Sequence, residues 1–397
     1  MSKSNWWRRV SAAATAAMVG AAMVGASSAN AADYHAYYQN SVINSSEVIV
    51  GQYAARQFNN ALGQVFADRF IANIVTDAEV CPGLTSFVKA YGGFGSEGNQ
   101  SARAGYDLGN AGVLAGLGYQ LGKELELGGI VGYSYNNATS FKKSGSVASP
   151  WGGEPDRDMA DFSSDLTDNV LRVGFYGNYK WNNLFVNTSP TVGVHFLSRE
   201  ERYSEDDNLG NLGAGPTTNK YRSYDTGFDF SWYNRVGYVF ELPKGFYLTP
   251  SYSLAMTYLH TAYSTGVGDK TYINNGITER YISGTENNWS LLQTLDARIG
   301  KVFNLSDRFA ILPEFIAGWE HEYIDPKQTG SYSRWTDGII ADPSTTPIQG
   351  IAQDRAILGV GLSTIIAKKY EVSARYDERL WGDGHNSNFT VGLSVKF

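Results

Sequence analysis

The chain has 397 residues, with 32 Lys and Arg against 39 Asp and Glu, which gives a formal net charge of −7. This acidic balance argues against a nucleic-acid partner, because binding to phosphates needs a basic surface. The single cysteine, Cys81, excludes an intrachain disulfide framework and a cysteine-based zinc site. We predict no metal site and no cofactor. The 26 tyrosines and 44 glycines suit a lipid-embedded barrel and also a secreted β-rich enzyme.

The N-terminal stretch predicts a signal peptide rather than a part of the fold. Lys3, Arg8 and Arg9 form a positively charged start, and an Ala-rich apolar run follows them. Residues 29–31, Ala-Asn-Ala, then offer the small-x-small pattern of a cleavage site. The apolar run is too short to anchor the chain as a transmembrane helix. We predict secretion and removal of residues 1–31.

Residues 47–83 predict a helix followed by a linker. Apolar side chains recur at roughly helical spacing over residues 47–73. A Pro-Gly pair at 82–83 then ends regular structure. The preceding residues, 32–46, are predicted to form a short extended segment.

Residues 84–397 predict a membrane-spanning β-sheet, because apolar and polar side chains alternate along many segments. In the last segment, one face carries Phe389, Val391, Leu393, Val395 and Phe397, and the other carries Thr390, Gly392, Ser394 and Lys396. Charged residues occupy one face only, as exposure to lipid requires. We place the strands near residues 84–94, 103–120, 124–137, 166–181, 184–199, 223–241, 246–263, 288–303, 308–323, 351–367, 370–381 and 387–397.

Tight and long connections alternate between these segments. The tight ones lie at 121–123, 182–183, 242–245, 304–307 and 368–369, and the long ones lie at 138–165, 200–222, 264–287 and 324–350. Short periplasmic turns and long external loops are typical of outer-membrane barrels. The predicted fold class is therefore all-β, a transmembrane antiparallel up-and-down barrel of about twelve strands. The predicted location is the outer membrane of a Gram-negative cell.

Charged residues on the polar faces of the strands are predicted to point into the lumen. They are Arg172, Asp229, Arg235, Asp296, Arg298, Glu314, Glu320, Arg355, Arg375 and Asp377. Such residues line a water-filled channel, and they would equally pair with Arg56, Asp68 and Arg69 of the predicted helix. We expect that helix in the lumen, because a barrel of this size encloses space that wall side chains cannot fill. The alternative is a small helix outside the barrel.

The C-terminal strand carries a second membrane signal. Its apolar row, from Phe389 to Phe397, ends in an aromatic residue. The machinery that inserts outer-membrane barrels reads this pattern in chains of this class. We therefore predict as partners the outer-membrane lipid, the periplasmic chaperones and the barrel-assembly machinery.

Several segments together resemble the β-barrel translocator domain of autotransporters, the proteins of type V secretion. They are FVKAYGGFG at 87–95, GYDL at 105–108, GVLAGLGY at 112–119, AGWEHEY at 317–323 and ARYD at 374–377, with a GDG turn at 382–384 and the final Phe397. The resemblance is spread over residues 47–397. It implies a barrel of about twelve strands, a helix in its pore and export of the segment before that helix to the cell surface.

The resemblance also bears on the N-terminal part. Only residues 32–46 separate the predicted signal from the predicted helix, and autotransporters usually carry a large β-helical passenger. The expectation is that such a passenger is absent. Some family members cut themselves inside the barrel between two asparagines of the helix. Asn59 and Asn60 occupy the matching place, which makes them the candidates for self-cleavage.

We predict that the chain is not an enzyme. His195, His260, His321 and His385 are scattered over strand ends and loops, and no G-x-S-x-G nucleophile motif occurs. A rim site that combines His195 with Glu200 is the alternative arrangement. The predicted function is to anchor, display or export the N-terminal segment. The alternatives are a passive solute channel and a surface adhesin that uses its long external loops, with an unknown ligand.

Overall fold

The computed structural model describes most of the barrel and the helix before it. The described residues are 31–76, 82–97, 105–142, 145–147, 157–159, 162–205, 217–263, 279–282, 284–324, 328–330, 333–336, 339–341, 346–348, 353–382 and 384–396. Residues 1–30 of the predicted signal peptide, Cys81 and Phe397 lie outside these ranges.

A closed wall of 12 antiparallel strands forms the barrel. The strands are β1 (Gly83–Glu97), β2 (Gly105–Leu121), β3 (Leu125–Lys142), β4 (Phe162–Trp181), β5 (Leu184–Glu205), β6 (Thr217–Tyr238), β7 (Phe246–Tyr263), β8 (Gly284–Lys301), β9 (Phe309–Glu322), β10 (Asp354–Ile366), β11 (Tyr370–Trp381) and β12 (Gly384–Lys396). Each strand pairs with its chain neighbours, and β1 also pairs with β12. Closure leaves no unpaired sheet edge, as the bilayer interior requires. The predicted fold class is confirmed.

The two faces of the wall differ as the alternation predicts. On β11, Glu371 and Arg375 are buried inside the barrel, whereas Val372 and Tyr376 are exposed on its outer surface. Large apolar side chains cover that outer surface on every strand, and they suit contact with lipid. Several strands are longer than predicted, mostly at the ends next to the long connections, because antiparallel pairing continues there into polar sequence.

Short strands lie in several of the long connections. They are Gly145–Val147, Arg157–Met159, Glu279–Ile282, Gln328–Gly330, Ser333–Thr336, Ile339–Ala341 and Thr346–Ile348. At the opposite end of the barrel, two further short strands, Phe240–Glu241 and Phe303–Ser306, flank tight turns. One pairing, between Glu279–Ile282 and Ser333–Thr336, joins the connection after β7 to the connection after β9.

A long helix, α1 (Ala31–Val75), precedes the barrel. It begins earlier than predicted, so the expectation that residues 32–46 are extended is wrong. No proline or glycine interrupts residues 31–50, and alanines at 31, 32 and 36 favour the helix from its first turn. Within the part of the chain that the structure describes, no helix is both long and apolar enough to cross a membrane.

α1 passes through the lumen from one end of the barrel to the other. Val50 packs against Leu108 and Leu166 beside the long connections. Ile71 packs against Phe185 beside the tight turns. The stretch of α1 from Val50 to Ile74 is about 37 Å long at 1.5 Å per residue, which exceeds the thickness of the hydrocarbon core. The predicted position of the helix in the lumen is confirmed.

Lipid exposure of the outer surface can be tested at Val173 on β4. Its side chain is 54% exposed and lies between Val131 and Val192 of the neighbouring strands. We expect Val173→Arg to lower the free energy of unfolding by about 2–4 kcal/mol, because a charge facing lipid is costly. Denaturant titration in phospholipid vesicles measures this loss, with Val173→Leu as the control. Equal stability of the two variants would contradict the assignment of this face to lipid.

Candidate functional site in the barrel lumen

The charged residues that the sequence predicts for the lumen all lie inside the barrel. Arg172, Asp229, Arg235, Arg298, Glu320, Arg355, Arg375 and Asp377 are buried. The side chains of Asp296 and Glu314 are 10% and 8% exposed. A charge removed from bulk water needs a partner of opposite sign, because desolvation otherwise makes it very costly. The arrangement of these partners therefore decides whether the lumen can hold the helix.

Two arginines of α1 form ion pairs with the wall. Arg56 Nη2 lies 2.5 Å from Oε2 of Glu322 on β9. Arg69 Nη1 lies 3.0 Å from Oε1 of Glu126 on β3. Both pairs are almost completely buried, so loss of either partner would leave an uncompensated charge. The helix is thus held by charge near both ends of its buried stretch.

Asp68 joins α1 to two opposite sides of the wall. Its Oδ2 lies 3.1 Å from Nζ of Lys89 on β1, and its Oδ1 lies 2.7 Å from Nη1 of Arg298 on β8. Arg298 and Arg375 both lie beside Oε1 of Glu314, at 3.6 and 3.4 Å. One helix carboxylate therefore links a network that crosses the lumen.

Hydrogen bonds from uncharged side chains of α1 fix the rotation of the helix. Thr390 Oγ1 donates to Oε1 of Gln64 at 2.8 Å, and Nε2 of the same glutamine donates to Oδ2 of Asp377 at 3.2 Å. Asn59 Nδ2 donates to Oγ of Ser231 at 2.7 Å. These hydrogen bonds lie on different strands, so rotation or sliding of α1 would break several of them together.

Two glycines allow the helix to lie directly on the wall. A Cβ atom at Gly63 would come within 2.1 Å of the hydroxyl oxygen of Tyr233, and one at Gly51 within 2.7 Å of Leu259 Cδ2. Between them, the guanidinium of Arg172 lies 5.0 Å from the ring centre of Phe58. The helix therefore fills the lumen beside β6 and β7 by close contact.

His195 on β5 lies within the wall, between two carboxylates. Its Nδ1 is 2.7 Å from Oδ2 of Asp168, and its Nε2 is 2.7 Å from Oδ2 of Asp229. Arg172 Nη2 also lies 2.5 Å from the same Asp229 oxygen. A neutral imidazole has only one N–H, so these two contacts favour the imidazolium form. Two cations then balance two anions, and β4, β5 and β6 are joined by charge.

Several residues that contact the helix were not predicted from the sequence. Lys89, Glu126 and Glu322 supply wall partners for α1, and none was predicted to face the lumen. The signal at Lys89 was hidden because its neighbours on the same face, Phe87 and Tyr91, are aromatic. Those rings pack inside the lumen rather than against lipid. An apolar row can therefore face inward wherever a helix covers it.

The structure places Asn59 against a hydroxyl group. Its Nδ2 contacts Ser231, and its Oδ1 has no hydrogen-bond partner among the described residues. Self-cleavage between Asn59 and Asn60 stays a prediction that no contact here tests. Within the described ranges, no group of three or more His, Cys, Asp and Glu side chains is placed to hold a metal ion.

Comparison with solved structures shows the same fold. The translocator domain of the autotransporter NalP from Neisseria meningitidis matches with 14% identity over 88% of this chain and 99% of that chain, at a TM-score of 0.54. The β domain of the Bordetella autotransporter BrkA matches with 18% identity over 79% of this chain and 100% of that chain, at a TM-score of 0.49. The transport unit of AIDA-I from Escherichia coli matches with 12% identity over 83% and 98%, at 0.44.

Sequence comparison gives the family. No curated protein sequence matches this chain. The model of the autotransporter β-domain matches residues 86–377, which cover the barrel from β1 to β11. This match spans most of the chain, and the closed barrel with a helix in its lumen agrees with it. The chain therefore belongs to the autotransporter β-domain family, whose barrels reside in the outer membrane.

Proposed function

We propose that this barrel carries residues 32–46, the N-terminal part of α1, across the outer membrane and anchors them at the cell surface. The path of α1 is the observation that supports this proposal. Its Val50 end lies beside the long connections, and its Ile74 end lies beside the tight turns. Because tight turns face the periplasm in this class, the residues of α1 before Val50 leave the barrel on the outside. Removal of a signal peptide near residue 31 is part of the proposal.

An epitope tag inserted after Asp33 tests this direction. We expect antibody to label the tag on intact cells, because the chain there has crossed the barrel. A second tag, placed between Asn182 and Asn183 in a tight turn, should be labelled only after the outer membrane is opened. Protease added to intact cells should remove the first tag alone. Labelling of the Asp33 tag only in opened cells would contradict export.

We also propose that α1 keeps the channel closed, so that the mature barrel is not a passive solute channel. Its contacts with every side of the lumen support this role. In planar bilayers, deletion of residues 33–80 should raise the conductance strongly over that of the intact chain. Unchanged conductance would count against the helix as a plug.

A single charge change gives a finer test of the closed state. Asp68→Asn leaves Lys89 and Arg298 without their shared carboxylate. Removal of one partner from a buried ion pair costs about 3–5 kcal/mol, so we expect more frequent channel opening and a lower unfolding temperature. Asp307→Asn, in an exposed tight turn, is the matched control and should behave as wild type. Identical opening frequencies in the two variants would argue that Asp68 does not hold the helix.

We propose that the chain has no catalytic role. We also propose that periplasmic chaperones and the barrel-assembly machinery are its partners. The apolar row Phe389, Val391, Leu393 and Val395 on β12 supports that partnership, and the predicted terminal member, Phe397, lies outside the described residues. Deletion of Phe397 should reduce barrel assembly in cells several-fold, while Phe397→Tyr should assemble normally. Heat-modifiability on gels measures assembly. If the deletion variant also folds several-fold less well than wild type when both are refolded in detergent, the deletion causes a folding defect and not the loss of an assembly signal.

A further inference from the structure

A row of cations lies along one half of the periplasmic rim. We name it the cationic arc, and its members are Lys244, Lys301, Arg308, Lys368 and Lys369. The tight turns that carry these residues are hydrogen-bonded to neighbouring strand ends along the rim. The amide of Val302 donates to the carbonyl of Gly245 at 2.8 Å, and the amide of Ala367 donates to the carbonyl of Arg308 at 2.6 Å. The arc is therefore one continuous surface on the ends of β7 to β11.

The arc carries an excess of positive charge. The exposed carboxylates of this half are those of Glu241 and Asp307. Glu241 accepts a hydrogen bond from Nδ2 of Asn183, on the far side of the strand end. Among the residues that the structure describes, no salt bridge joins a member of the arc to a carboxylate. Among the described residues, the other half of the rim carries Lys123 and Lys180 beside Glu124, and Lys396 at the end of β12 donates to Oδ1 of Asn73 on α1.

Aromatic contacts fix the depth of the arc at the edge of the lipid. The ammonium of Lys301 lies 4.9 Å from the ring centres of both Phe246 and Phe303. Both rings are exposed on the outer surface, 41% and 44%. Aromatic side chains of this kind form the girdle of a barrel at the membrane–water boundary. Lys301 thus lies at the level of lipid headgroups, and the adjoining turn that carries Lys244 is bonded to its strand end.

The backbone of the arc is also unusual. Lys244 has φ of 62° and Lys368 has φ of 56°, which is the left-handed region that favours glycine and asparagine. The turns of the other half use the favoured residues there, Gly122 at 68° and Asn182 at 51°. Lysine is therefore present in two turns at a position where it strains the backbone, and in the second turn Ala367, with φ of 51°, shares that strain.

We propose that the cationic arc binds the headgroups of anionic phospholipids in the periplasmic leaflet. A phosphate diester with net negative charge complements lysines that have no carboxylate partner among the described residues of this rim, where Lys301 lies against two exposed aromatic rings. Zwitterionic lipids lack the net charge and bind weakly. The inference requires only that the tight turns face the periplasm, so it holds whether or not a segment is exported.

The test uses the full chain in detergent, with phosphatidylglycerol added and bound lipid counted by native mass spectrometry. The arc variant is Lys244→Asn with Lys368→Asn, and the control is Lys123→Asn with Lys180→Asn, which removes the same charge. Asparagine suits the left-handed turns, so the arc variant should fold as well as wild type, and heat-modifiability checks this. We expect its affinity for phosphatidylglycerol to fall about thirtyfold, because each of the two lysines contributes about 1 kcal/mol.

The remaining outcomes are distinct. The control should stay within about twofold of wild type, because two lysines beside a glutamate attract anionic lipid weakly. Phosphatidylethanolamine should bind weakly to every form, and soluble glycerol phosphate should not displace the bound lipid. Equal affinity of the arc variant and wild type would overturn the proposal and point to another anionic partner, such as peptidoglycan. An equal loss in the control would reduce the effect to overall charge.

Discussion

The carboxylate of Asp68 is the group on which the packing of α1 in the lumen depends. It lies between Lys89 and Arg298, on opposite sides of the barrel, and both cations are buried. With the helix in place there is little room for water to screen these charges, so α1 must supply the balancing charge itself. The ion pairs of Arg56 and Arg69 act in the same way toward two other strands. A neutral helix of the same shape would leave several wall charges unpaired.

The bilayer sets the second constraint. Every backbone polar group at membrane depth needs a partner within the protein, and a closed barrel is one of the two structures that supply it. The strands then show apolar side chains to lipid and leave polar ones to the lumen. Helix and wall are thus coupled, because the polar lumen that the barrel must enclose is also the surface that binds α1. Export of a segment and closure of the pore can use the same contacts.

Much of the wall could be predicted from the sequence, because alternation and loop length are local patterns. The residues that face the lumen on β4, β8 and β11 followed from that alternation. The ion pairs could not be predicted, since Arg56 and Glu322 are 266 positions apart in the sequence. The stagger of the twelve strands decides which wall residues lie at the same height as a given residue of the helix. The start of α1 at Ala31 was missed because its first turns lack the apolar spacing used to recognise the helix. His195 lay in a polar row, but its two carboxylate partners come from other strands.

A disulfide cross-link between helix and wall tests the central claim most directly, which is that α1 lies in the lumen of the assembled barrel. The pair Asn59→Cys with Ser231→Cys joins side chains that are hydrogen-bonded at 2.7 Å, in a chain with Cys81→Ser. The control pairs Asn59→Cys with Val173→Cys on the lipid face. In membranes from cells, we predict rapid oxidation of the first pair alone, seen as a shifted band without reductant. Absence of that band, or equal cross-linking of the control, would contradict the account.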